Sequence, residues 1–97
     1  MAQFDVHRLN DGLVLDCQAD LLAHIASRFV VPLVRSGLAT IAARRLNPSF
    51  EIAGETHVMV TQAAAAVPRG DLGEVVASLT DHSFEVIGAI DVLISGV

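Results

Sequence analysis

The 97-residue chain is 53% hydrophobic and 18% charged, with a formal net charge of -5. That length holds one core and one domain, spanning residues 1–97, and the composition argues against disorder. Six arginines and no lysine against eleven acids argue against tight, direct nucleic-acid binding, and no run approaches the roughly 20 apolar residues of a membrane helix.

In chain order, Gln3–Leu9 alternates apolar and polar residues, and Leu13–Gln18 resumes as a second strand. Asn10-Asp11-Gly12 between them is a strong hairpin signal, because these residues tolerate positive φ. Asp20–Ala26 reads as a short helical turn or a loop. The β-branched run Arg28–Val34 reads as a strand, with Pro32 expected at a sheet edge or bulge because it donates no ladder bond. Ser36–Leu46 has helical spacing at Leu38, Ile41, Ala42 and Leu46, stopped by Asn47-Pro48.

Ser49–Ile52 and Thr56–Thr61 flank Ala53-Gly54-Glu55 as a second hairpin. Ala63–Val67 is small and apolar, Pro68–Asp71 is a turn, and Leu72–Leu79 is compatible with strand or helix. The Arg69-Gly70-Asp71 triplet is read as chance. Thr80 is the expected N-cap of a last helix, with Asp81 favourable to its dipole. Phe84, Ile87, Ile90 or Asp91, and Ile94 mark one face, widened by Val86, Ala89 and Leu93. Phe84, Ile87 and Ile90 are expected in the core, and Gly96 is expected to end the helix.

So apolar a chain implies a covered surface, and a twofold homodimer is expected. Cys17 is single, so it forms no intrachain disulfide and reads as a buried small hydrophobe. The N-terminus lacks a basic segment followed by an apolar one, so no signal peptide and a cytoplasmic location are expected. The four histidines, His7, His24, His57 and His82, lack metal-ligand spacing, so no metal site is expected. No Gly-rich phosphate loop follows a strand and no serine sits in a nucleophile elbow, so no cofactor or catalytic residue is assigned. Arg44-Arg45 is the only adjacent basic pair and reads as a solvated element end. Glu51, Glu55 and Glu74 offer carboxylates, but nothing selects a pair for acid–base work; a non-enzyme is expected.

Several short stretches, in order, resemble the CcdB family of toxins. They are Met1-Ala-Gln-Phe-Asp-Val6, Asp16-Cys-Gln-Ala-Asp20 with the following Leu21-Leu22, Arg28-Phe-Val-Val-Pro-Leu33, and Leu46-Asn-Pro48. Ile52-Ala-Gly-Glu55, Met59-Val-Thr61, Ala65-Ala-Val-Pro68, Leu72-Gly-Glu74 and Ala89-Ile-Asp-Val-Leu-Ile-Ser-Gly-Val97 continue the pattern. The resemblance implies a mainly β (α+β) fold, a small SH3-like barrel of antiparallel strands with one C-terminal α-helix, CcdB/MazF-like. It implies five or six strands and a homodimer whose helices meet at the twofold axis.

By the same resemblance the chain is a type II toxin that binds the A subunit of DNA gyrase and traps the cleaved complex. A CcdA-like antitoxin would neutralise it, and operator DNA would be bound only through the antitoxin complex. Carried over position by position, the gyrase-facing residues are Leu21, Leu22, Asp91, Ile94, Ser95, Gly96 and Val97. Asp91 stands where the family favours Asn, Ile94 where it favours Phe, Ser95 where it has Trp, and Val97 where it has Ile. The missing tryptophan removes a natural hot spot and a cation–π partner, which implies weakened, redirected or lost poisoning. The first hairpin is also shorter than the family's, so the antitoxin surface near its tip is expected to differ. Two alternatives follow: a non-toxic or retargeted dimer serving as antitoxin-binding co-repressor, and a MazF-like endoribonuclease.

Overall fold

Alternation at the N-terminus folds as expected. In the computed structural model, which describes residues 2–38 and 44–96, β1 (Asp5–Leu9) and β2 (Gly12–Asp16) pair antiparallel from Val6↔Leu15 to Leu9↔Gly12. The turn is thus Asn10-Asp11, and Asn10 carries the positive φ of 53° while Gly12 opens the second strand. β3 (Ser27–Arg35) follows on β2. The second hairpin is β4 (Ser49–Ile52) and β5 (Glu55–Met59). Its turn residues Ala53 and Gly54 both have positive φ, 53° and 82°, the pattern of a type I′ turn. β6 (Ala65–Pro68) and β7 (Val75–Ser78) complete the strands, and α1 (Ser83–Ser95) closes the chain.

Among the described residues these make one curled antiparallel sheet of seven strands, ordered β4-β5-β3-β2-β1-β7, with β6 also on β3. The sheet is a half-barrel with a C-terminal helix, one or two strands richer than the resemblance implied. The segment read as strand or helix supplies β7, and the Ala-rich run supplies β6. Residues 39–43 of the helix predicted over Ser36–Leu46 lie outside the described residues; of the rest, Ser36–Leu38 is a 3-10 turn and residues 44–46 form a turn, not a helix.

Pro32 sits neither at a sheet edge nor on a bulge. β3 is an interior strand with β2 on one side and, on the other, β6 along Ser27–Val30 and β5 along Leu33–Arg35. The Pro32 carbonyl accepts from Val60 N–H at 2.9 Å on that second side. N and O of one strand residue point the same way, so the missing amide faces the break between β6 and β5, where no ladder bond is lost.

The sheet has two buried faces. On one, Val6, Leu15, Val31, Leu33, Phe50, Ile52 and Met59 meet Val86 and Ala89 of α1 in the core. On the other, the registers align His7, Val14, Asp16, Arg28 and Val30, all buried. The segment after β6 crosses this face. His7 Nδ1–H donates to the Gly73 carbonyl at 3.0 Å, and Gly73 N–H donates to Arg8 O at 2.7 Å. A Cβ on Gly73 would lie 2.9 Å from Arg8 O, so the close approach requires glycine there. Beneath it, Arg28 Nε and Nη2 donate to Asp16 Oδ2 at 3.0 and 2.7 Å, with both side chains fully buried. Arg28 Nη1 has no hydrogen-bond partner among the described residues.

The start of α1 differs from expectation. Thr80 belongs to a separate 3-10 turn, Thr80–His82, and its hydroxyl bonds Ser78 Oγ at 2.8 Å. His82 takes the N-cap position with no side-chain cap bond. It faces Phe50 with ring centroids 5.1 Å apart and pairs with Glu85 at 3.1 Å.

Candidate functional site

The two leucines at 21 and 22 occupy a 3-10 turn, Asp20–Leu22, that leaves β2. Backbone bonds close it: Leu22 N–H to Ala19 O at 2.9 Å, Ala23 N–H to Asp20 O at 3.1 Å and Ile25 N–H to Leu22 O at 3.2 Å. Side chains fix it to the sheet. Gln18 accepts from Phe29 N–H at 2.9 Å and donates to Leu22 O at 2.9 Å. Asp20 Oδ1 accepts from Gln3 N–H at 2.8 Å, and Gln3 Nε2 donates to Cys17 O at 3.1 Å. Leu21 is consequently held in place while 89% exposed, with Leu22 and Ile25 also exposed. Gln3 and Gln18 position this turn; both lie in the stretches that carry the family resemblance, but only the fold reveals their role.

The second part is the end of α1. Asp91 is exposed and Ile94 is 78% exposed. Ser95 Oγ donates back to Asp91 O at 2.7 Å, so its hydroxyl is engaged by its own helix. Gly96 takes the left-handed conformation at φ 78°, with its N–H on Val92 O at 2.8 Å, and ends the helix as expected. Val97 lies outside the described residues.

Phe84 and Ile87 are not core residues. Phe84 is 94% exposed and Ile87 is 48% exposed. The helix buries Val86 and Ala89, with Ile90 packed against the core. At about 100° per residue, Phe84, Ile87, Asp91 and Ile94 then fall on the outward side. Because α1 is apolar nearly all round, periodicity alone could not choose which side met the sheet. Within the protomer the helix packs against the turn Thr61–Ala63 and the turn before it. The Leu21–Leu22 turn and the helix end therefore hang on separate anchors.

Burial, followed by the nearby Asp16 charge, pushes the Cys17 thiol up to about 12, which leaves it a protonated, unreactive group. Among the described residues no cluster of three or more His, Cys, Asp or Glu is suited to a metal ion, and no helix is long and apolar enough to cross a membrane. A cleft of ≈440 Å³ at the open end of the half-barrel contains Arg8, Arg35, Glu55 and His57. Both of its arginines are engaged by carboxylates, Arg8 with Glu74 at 2.8 Å and Arg35 with Glu55 at 3.3 Å.

The fold is similar to that of solved toxin structures. One is the Mycobacterium tuberculosis toxin MazF-mt6, 16% identical, with a TM-score of 0.71 over 90% of this chain and 92% of that one. Another, an Mtb toxin, is also 16% identical, with a TM-score of 0.72 over 88% and 94%. At that identity the likeness speaks for the fold alone. The sequence itself matches the model of the CcdB protein over residues 3–96, nearly its whole length, and the chain therefore belongs to the CcdB family of toxins from toxin–antitoxin systems.

Proposed function

We propose that this toxin acts without catalysis, as a cytoplasmic homodimer that binds the A subunit of DNA gyrase and traps the enzyme with its DNA cleaved. The observation that carries the reading is the exposure of Leu21 and Ile94, two large apolar side chains held out on ordered backbone at family contact positions. Leaving such groups in water forgoes about 1.5–3 kcal/mol each, a loss that a target interface recovers. Leu22, Asp91, Ser95, Gly96 and Val97 complete the contact surface. A CcdA-like antitoxin neutralises the dimer and supplies the operator contacts that an acidic toxin cannot make. Growth arrest on induced expression, relieved by co-expression of the antitoxin and abolished by removing residues 95–97, is the expected result. An intact chain that arrests nothing would remove the gyrase role.

Two other readings each have one observation behind them. Ser95 carries no ring and turns its hydroxyl inward, which favours a non-toxic, antitoxin-binding co-repressor. The likeness to MazF toxins in fold favours an endoribonuclease, for which the cleft at the barrel mouth is the available site. Incubation with total RNA separates them, since only the ribonuclease yields cleavage products.

A further inference from the structure

Strand alternation reserves one face of this sheet for the core, yet at one end that face carries polar residues. In register, Arg8 pairs with Leu13, Leu13 with Leu33 and Leu33 with Met59; in the next row Arg35 pairs with His57 and His57 with Phe50. Paired residues, and residues two apart on a strand, share a face. Arg8, Arg35, Glu55 and His57 therefore lie on the same face as the core residues Leu33, Phe50 and Met59. The helix meets that face at Val86 and Ala89, and no described residue of α1 lines the ≈440 Å³ cleft at its polar end. Charged groups and an imidazole at positions that alternation assigns to a core break a local rule, and such places mark functional sites.

The imidazole is held rigidly. His57 is only 7% exposed, and its ring is fixed by Nδ1–H donating to the Glu55 carbonyl at 3.1 Å. A carbonyl only accepts, so in the neutral ring the proton sits on Nδ1 and Nε2 is an acceptor. Nε2 bonds no described residue, and His57 forms part of the cleft wall. Leu13, Leu33 and Ile52 supply apolar surface in the same cleft, together with Arg8 and Arg35. The Arg8–Glu74 and Arg35–Glu55 pairs are more than half exposed on both sides. Ion pairs so exposed contribute little, and an incoming anion can displace either glutamate.

We propose that this cleft binds a small aromatic acid carrying a hydrogen-bond donor at the end opposite its carboxylate. Each part of that ligand answers a group in the site. The donor serves His57 Nε2, the flat ring packs on Leu13, Leu33 and Ile52, and the carboxylate takes Arg35 or Arg8 in a charge-assisted bond. The arginines decide the charge. A guanidinium bonds a carboxylate bidentately and also stacks on an aromatic face, whereas Asp11, the unpaired carboxylate among the described lining residues, offers charge alone. A wholly apolar ligand would leave Nε2 desolvated without a partner. Neither the Leu21–Leu22 turn nor the end of α1 contributes to the lining, and the proposal does not rest on gyrase binding.

The test titrates the isotope-labelled full-length protein with millimolar para-hydroxyphenylacetate, phenylacetate, tyramine or AMP and follows amide chemical shifts. Para-hydroxyphenylacetate is expected to shift the amides of Leu33, Arg35 and His57 saturably. Phenylacetate, which lacks the donor, should bind about fivefold more weakly, and tyramine, with an amine in place of the carboxylate, should not saturate the site. Arg35→Gln should weaken para-hydroxyphenylacetate binding about tenfold, while Arg69→Gln, an equal change of charge outside the cleft, should leave it within about twofold. Both replaced side chains are exposed, and unchanged spectra away from the site confirm the fold. No saturable shift with any of the four, shifts confined to residues outside the cleft, equal binding of phenylacetate or tyramine, or indifference to Arg35→Gln overturns the proposal. So does tighter binding of AMP, which would assign the cleft to nucleotides.

Discussion

Replacing Arg28 by methionine should cost the protein a large part of its stability. Arg28 and Asp16 are both fully buried and joined by two charge-assisted hydrogen bonds of 3.0 and 2.7 Å. Without the guanidinium, the Asp16 carboxylate keeps a bond from Gln18 N–H at 3.1 Å but has no compensating charge. Breaking such a pair from one side costs about 3–5 kcal/mol, against a total of roughly 5–15 kcal/mol for a domain of this size. The pair itself is imperfect, because Arg28 Nη1 has no partner among the described residues, so an apolar replacement of both members should recover most of the loss. Urea denaturation of wild type, Arg28→Met, and the double variant Asp16→Val/Arg28→Met measures this directly. A single variant within about 1 kcal/mol of wild type, or a double variant no more stable than the single, would refute the reasoning.

Ala53→Asn should raise stability by about 0.5–1 kcal/mol in the same assay, since Ala53 sits at φ 53° in a type I′ turn that favours Asn-Gly. Gln18→Ala should free the Leu21–Leu22 turn from β3, weakening target binding while hydrogen exchange quickens at Leu22 and Phe29. Cys17 should resist iodoacetamide at pH 8 until the protein unfolds. Its thiol rises from 9.0 to about 12 on folding, so the folded state binds its proton more tightly. Stability linked to it is present below pH 9 and lost as pH rises towards 12; Cys17→Ala should lose less stability across that interval.

Much of this architecture was legible in the sequence. Period-two alternation and the turn chemistry of Asn10-Asp11-Gly12 and Ala53-Gly54-Glu55 located both hairpins, although Gly12 and Glu55 open the second strands rather than lying in the turns, and Gly96 marked the helix end. Pro32 was misplaced because a proline signals only a missing donor, and here an interior strand changes neighbours at that point. Thr80 satisfied a local capping rule, but Ser78 claimed its hydroxyl. Phe84 and Ile87 were misassigned because hydrophobicity on all sides of α1 names no inward face. The contact positions came from the resemblance alone, as no pattern of spacing distinguishes an exposed Leu21 from a core leucine. The Gln18 and Gln3 clamps behind it depend on contacts between segments that are remote in sequence.

If the chain acts as proposed, the helix end of its homodimer traps gyrase on cleaved DNA. Purified chain, gyrase and supercoiled plasmid, treated with detergent and protease to reveal broken DNA, address it most directly. The intact chain is expected to yield linear plasmid in a dose-dependent manner, Ser95→Trp to yield more at the same dose, and the chain lacking residues 95–97 to yield none. Equal amounts of linear plasmid from the intact and shortened chains, or none from the intact and Ser95→Trp chains alike, would contradict it.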